Sequence, residues 1–205
     1  MFPQCEEMVP SFATAVARAR GQQPQPDFLP TVYTLQMHGR ATPTDLVSAA
    51  PVPGNGLVLS SRVKAILDGF RLDRARFFEA QIHHRKETLQ GYFLAVVDND
   101  ATPAIDFHGS KFFLSTFFDR IRDVQLSSQR DLTELGEHLP AGQFVRADAL
   151  ALRDGSTLPD VLTFPFVEAG VYVSQDVRDT IARSPASGIE FIEAKEIGRA
   201  VPGPR

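Results

Sequence analysis

Acid–base or metal chemistry needs carboxylates, imidazoles, thiols or hydroxyls brought together, and the densest concentration here is acidic: Asp98, Asp100 and Asp106 in VVDNDATPAIDF. Such carboxylates can hold a hard cation or work as an acid and base. The calcium-loop pattern is missing, because no glycine stands at the turn and no glutamate closes the loop. The spacing fits a solvated strand end and turn, with a protein-facing patch as the second reading. Asp131, Asp154 and Asp160 add charge without a spacing that carries meaning alone. His83 and His84 are neighbours at the end of an expected strand, so they project to opposite faces and cannot jointly grip one metal. His38 and His108 stand near loops, with no nucleophile beside them for a general base to activate. Ser60, Ser110 and Ser174 lack the G-x-S-x-G elbow, and no P-loop or dinucleotide fingerprint follows any strand. The one cysteine, Cys5, has no partner for a disulfide and no zinc-spaced companions. The residues therefore nominate no catalytic group, no metal ligand and no cofactor, and a non-enzymatic role is expected.

The elements that would position these groups are marked by an internal repeat. Residues 56–82, GLVLSSRVKAILDGFRLDRARFFEAQI, lie without a gap over residues 170–196, GVYVSQDVRDTIARSPASGIEFIEAKE. Gly56 matches Gly170, Ser60 matches Ser174, Val63 matches Val177, and Phe77, Glu79 and Ala80 match Phe191, Glu193 and Ala194. Each copy reads as a strand, a serine N-cap, a helix, a turn and a second strand. Val63, Ile66, Leu67 and Phe70 give the first helix its apolar face, and Val177 and Ile181 hold that face in the second. Between the copies, ARFFEAQIHHRKETLQGYFLAVVDND predicts two strands joined by the turn Arg85 to Gly91.

Elsewhere, Ser128 and Asp131 predict a capped helix over 128–139 with Leu132, Leu135 and Leu139 inward. Val32 to Met37, Asp148 to Leu152 and Val161 to Val167 read as strands, and Gly39 to Gly56 as a loop. KFFLSTFFDRIRDVQL fits helix or strand, with Phe112, Phe113, Phe117 and Phe118 expected in the core. The fold class is α+β: a mixed, mostly antiparallel sheet with flanking helices, built on two similar strand-helix-strand units at 56–82 and 170–196. The division expected is an N-terminal helix and Pro-rich arm over 1–30, one α+β domain over 31–197, and a tail over 198–205.

The LVLSSRVKAIL and VYVSQDVRDTI segments, Tyr92 to Val97, the IDFHGS stretch with Asp106 and Ser110, and GIEFIE together resemble an immunity-protein family of bacterial polymorphic toxins, the myxobacterial-type immunity domain formerly described as of unknown function. The resemblance covers about residues 55–195. It implies a non-enzymatic antidote that binds and neutralises a cognate, cytosol-acting protein toxin, and it transfers no catalytic residue. One departure is Pro165, which stands where a basic residue is expected after Phe164.

Composition bounds the partner. With 205 residues, 43% hydrophobic and 22% charged, the chain can bury a core of its own. Its net charge of −4 argues against nucleic acid and suits a basic protein. The start lacks the pattern of a signal peptide, and no apolar run approaches the roughly 20 residues that span a bilayer, so no membrane is expected and the expected location is cytoplasmic. The partner-facing residues expected are the acidic turns and helix: Asp98, Asp100, Asp106, Glu134 and Glu137. The alternative is a structural or adaptor protein of a secretion system; the less favoured third reading is an enzyme whose acids meet only in three dimensions, with Asp106 beside His108 or His84.

Overall fold

The computed structural model describes residues 3–20, 32–52, 54–116, 118–165, 167–194 and 197–199. In chain order they form β1 (Cys5–Val9), α1 (Phe12–Ala19), β2 (Tyr33–Met37), β3 (Leu46–Val47), β4 (Gly56–Ser60), α2 (Ser61–Leu67), β5 (Ala75–His84) and β6 (Glu87–Val97). A 3-10 turn, Thr102–Ala104, leads into β7 (Ile105–Ser115), β8 (Arg120–Val124), α3 (Gln129–His138) and β9 (Phe144–Leu152). The chain continues through β10 (Val161–Phe164), β11 (Glu168–Val173), α4 (Gln175–Ala182) and β12 (Ile197–Arg199). The class is α+β, with four helices among the described residues, and the chain divides into two compact units.

The first unit comprises Met1–Asn99, Pro159–Leu162 and Val171–Phe191. Its mixed six-stranded sheet runs β1-β2-β5-β6-β4-β3, parallel only between β2 and β5. The sheet curls until its first strand meets the chain just after its last. The Gln4 and Cys5 amides donate to the Ser48 carbonyl (2.8 and 2.9 Å), and the Ala50 amide donates to that of Cys5 (2.9 Å). These bonds cover part of the edge that the end strands would otherwise present. Period-two alternation sends Tyr33, Leu35 and Met37 of β2, and Ala80, Ile82 and His84 of β5, to the buried face. Phe12 and Ala15 of α1 join that interior, and a side chain at Gly56 would collide with Phe12. Cys5 is fully buried there, so β1 and α1, expected in an arm, belong to the sheet and its core. Residues 21–31, the Pro-rich part of that expectation, lie outside the described residues.

The other face is buried too. Leu59, Ala95 and Val97 pack with Val63 and Leu67 of α2 and with Val177 and Ile181 of α4. Burial on both faces is why Leu94 to Val97 is an unbroken apolar run. Both helices start on the serines expected: Ser60 Oγ accepts from the Val63 amide and Ser174 Oγ from the Val177 amide (both 3.4 Å). The same three bonds recur at the two starts. The Ser60 amide donates to the Asp45 carbonyl (2.7 Å), the Asp45 amide to Ser187 O (3.0 Å), and the Ser187 amide to Asp45 Oδ2 (2.9 Å). Likewise the Ser174 amide donates to the Asp160 carbonyl (2.8 Å), the Asp160 amide to Arg71 O (2.9 Å), and the Arg71 amide to Asp160 Oδ2 (2.9 Å). The closing strand expected in the second copy does not form. Ser187 is drawn onto Asp45, Gly188 has a left-handed φ of 76°, and Ile189 and Phe191 pack on the core without a ladder.

The second unit comprises Asp100–Leu158, Thr163–Gly170 and Ile192–Arg205. Its sheet order is β12-β9-β7-β8, antiparallel except for β12 on β9. The undecided Phe-rich stretch forms strands β7 and β8. Helix α3 starts as expected, with Ser128 Oγ accepting from the Asp131 amide (3.2 Å), while Asp131 Oδ2 takes the amide of Ser127 (2.8 Å). Leu132 is fully buried and Leu135 and Leu139 partly so. Ile197–Arg199 pairs with Leu150 to Leu152, so the first residues of the expected tail take part in a sheet; residues 200–205 lie outside the described residues. Strands β10 and β11 pair as a two-stranded ribbon.

Candidate functional site

The acidic run 98–106 is divided among local duties. Asp98 ends β6 and takes a two-pronged bond from Arg20 (2.6 Å at its shortest). Asn99 is buried: its Oδ1 accepts from the Arg74 amide (2.6 Å) and its Nδ2 donates to the Leu72 and Val161 carbonyls, the latter at 2.7 Å. Asp100 Oδ1 accepts from the Thr102 amide (2.8 Å), which starts the 3-10 turn. Asp106 Oδ1 accepts from the His108 amide (3.1 Å). Glu134 pairs with Arg130 along α3 (2.6 Å), and Glu137 is exposed on the same helix. Asp98 lies in the first unit; Asp100, Asp106, Glu134 and Glu137 lie in the second.

The IDFHGS stretch is a wide bulge in β7. Pairing with β9 jumps from Asp106–Ala151 to Lys111–Ala149. Ser110 Oγ mends the ladder, donating to the Asp106 carbonyl (2.6 Å) and accepting from the Ala151 amide (2.9 Å). A Cβ at Gly109 would lie 2.8 Å from Asp106 Oδ2 and 2.9 Å from Ala151 Cβ, so the bulge requires glycine. Ser110 is thus a backbone partner here.

The histidines serve separate places. His83 Nδ1 shares a hydrogen bond with Thr88 Oγ1 (2.9 Å), while His84, on the opposite face as expected, is buried. His38 Nδ1 accepts from the Arg40 amide (3.2 Å), and His138 Nδ1 bonds the Glu134 carbonyl (2.6 Å). Among the described residues, no three His, Cys, Asp or Glu side chains gather to hold a metal.

Two features escaped the reading of the sequence. One is Asp45, inside the stretch read as loop. Its carboxylate accepts from Ser60 Oγ (2.7 Å), from Ser187 N and Oγ (2.9 and 3.0 Å), and from Arg62 Nη1 (3.1 Å). Burial alone would raise this carboxyl, but the bonds from Ser60 and Ser187, with the charge of Arg62, outweigh it and hold it below the ordinary carboxylate value. No local signal marks it, since Ser187 is remote in sequence.

The other is the end strand of the second unit's sheet. β8 stands at the end of the strand order, with Arg120 to Asp123 exposed. Arg120 lies 4.1 Å from the centre of the Phe113 ring and bonds both Asp148 (2.8 Å) and Asp123 (2.5 Å). Its bond to Asp148 holds that carboxyl below the ordinary range. Thr116 Oγ1 accepts from the Phe118 and Asp119 amides (3.2 and 3.0 Å), a turn that presents Phe118 outward. Phe118 is 94% exposed and Ile121 45% exposed, so of the phenylalanines expected in the core Phe112 is buried, Phe113 is half-buried and Phe118 is on the surface. Phe117 lies outside the described residues.

No protein-family model matches the chain, and comparison with curated proteins gives no significant match. Among the described residues no helix is long and apolar enough to cross a membrane.

Proposed function

We propose that the chain is an immunity protein, a non-enzymatic antidote that binds and neutralises a cognate, cytosol-acting protein toxin. The observation that carries the reading is Phe118, a fully presented aromatic ring just before β8, the end strand of its sheet, on which Ile121 is also exposed. An aromatic side chain held outward by a turn suits burial in a partner's pocket, where such residues supply most of the binding energy. The resemblance carried by the LVLSSRVKAIL, VYVSQDVRDTI and IDFHGS segments supports it, and those segments serve capping and bulge formation, leaving binding to exposed residues.

On this reading the contact lies on the second unit. Asp100, Asp106, Glu134 and Glu137 supply acidic surroundings for a basic toxin, and Asp98, already paired with Arg20, contributes less. The test is co-expression with the protein encoded next door, scoring growth and capture of a complex. Rescue of growth by the wild type, with rescue weakened by Phe118→Glu in a protein that folds normally, is the expected result. A neighbour that is harmless, or that kills regardless, counts against the proposal.

A further inference from the structure

Three soft or borderline metal-binding side chains form one row on the buried face of the curled six-stranded sheet. Cys5 is the register partner of Met37, and Met37 is the register partner of His84. Partners directly opposite share a face, here the buried one: Cys5 is 0% exposed, Met37 1% and His84 9%. Cys5 opens β1, Met37 closes β2 and His84 closes β5, so the row sits at one end of the curled sheet. Strands stand about 4.8 Å apart, and the inward curl makes side chains on the concave face converge.

Cysteine and methionine are ordinary core residues, and alone they point to nothing. The histidine does: its Nε2 is buried with no hydrogen-bond partner among the described residues. A buried ring nitrogen without a partner costs stability, and the register partners of His84 are Met37 on β2 and Glu87, an exposed residue, on β6.

We propose that Cys5, Met37 and His84 bind one copper(I) ion at this end of the curled sheet. Thiolate, thioether and imidazole together form a set that selects copper(I) over hard cations. On binding, the Cys5 thiol gives its proton to solvent and a Cu–S bond forms, so ion and thiolate bring no net charge into the interior. Zinc(II) in the same place would leave one uncompensated positive charge, which burial penalises. Without metal the thiol stays protonated, because burial pushes it up to about 11.

The test is anaerobic titration of the reduced protein with copper(I) against bicinchoninate, with X-ray absorption on the loaded protein. The wild type is expected to withdraw one equivalent, in a shell of two sulfurs and one nitrogen. Cys5→Ser and His84→Leu should weaken binding by about 100-fold or more, since even supporting residues of metal sites are worth roughly 10–100-fold. Met37→Leu keeps the core volume and should also weaken binding, which keeps the test decisive if Cys5→Ser does not fold. Copper left with bicinchoninate, a folded His84→Leu protein that binds like wild type, or a shell without sulfur overturns the proposal.

Discussion

Replacing Asp45 with asparagine tests how the first unit is held together. The carboxylate stands between the start of α2 and the segment after α4, taking hydrogen bonds from Ser60, Ser187 and Arg62. The asparagine side chain keeps one oxygen, enough for the Ser60 hydroxyl, but turns an NH2 group toward the Ser187 amide. Leaving that amide unsatisfied costs about 1–3 kcal/mol, and losing the charge on the Ser60 bond costs about 1 kcal/mol more. Arg62 is half exposed, so its share is small. The total is about 3 kcal/mol, or a fall of roughly 6–12 °C in the melting of this unit. The pH dependence gives a second check. The native carboxyl lies below its ordinary value, so its stabilisation is fully present above about pH 4 and is lost as pH falls through the lower native value. Urea unfolding of both proteins at pH 7, 5 and 3 should give the same gap at the first two and a smaller one at the third. A gap under about 1 kcal/mol at pH 7, or one unchanged at pH 3, refutes the reasoning.

Other substitutions probe single contacts. Asn99→Ala removes the side chain that joins Arg74, Leu72 and Val161, and should cost about 2–4 kcal/mol in denaturant unfolding; a loss below about 1 kcal/mol would mean those backbone groups find other partners. Gly109→Ala drives a methyl into Asp106 and Ala151, and should cost about 1–3 kcal/mol, visible as a lower melting temperature of the second unit. In metal-free protein His84→Leu replaces a buried nitrogen that has no partner among the described residues with hydrocarbon, and should raise stability by about 1 kcal/mol. A clear loss there would reveal a partner for the ring.

What was legible in the sequence was whatever short-range chemistry determines. The serine caps at Ser60, Ser128 and Ser174 follow from a hydroxyl three residues before the amide it accepts from, and the hairpin from two periodic runs, although its turn is Arg85 and Lys86 alone and not Arg85 to Gly91, because Glu87 to Gln90 extend the ladder. Long-range closure left no such mark. Cys5 to Val9 becomes a strand only because β2 and residues 48–50 lie on either side of it. The closing segment of the second copy matches the first in residue type, yet the backbone bonds at its start, on Ser187, go to Asp45 and Leu46 and no ladder follows. Phe118 reads as core by composition and is exposed because Thr116 fixes the turn before β8. The acidic residues were found as residues, but their engagement with Arg20, Thr102, His108 and Arg130 depends on placement that spacing alone does not give.

The most direct test of the central claim is growth of cells expressing the neighbouring gene product with this chain, beside cells carrying Phe118→Glu. Truncating a central aromatic contact costs at least about 2 kcal/mol, some 30-fold in affinity, and Phe118 is too exposed for its loss to disturb folding. The account predicts survival and a captured complex with the wild type, and weakened protection with the variant. Death of the cells despite abundant folded wild-type protein, with no complex recovered, would contradict it.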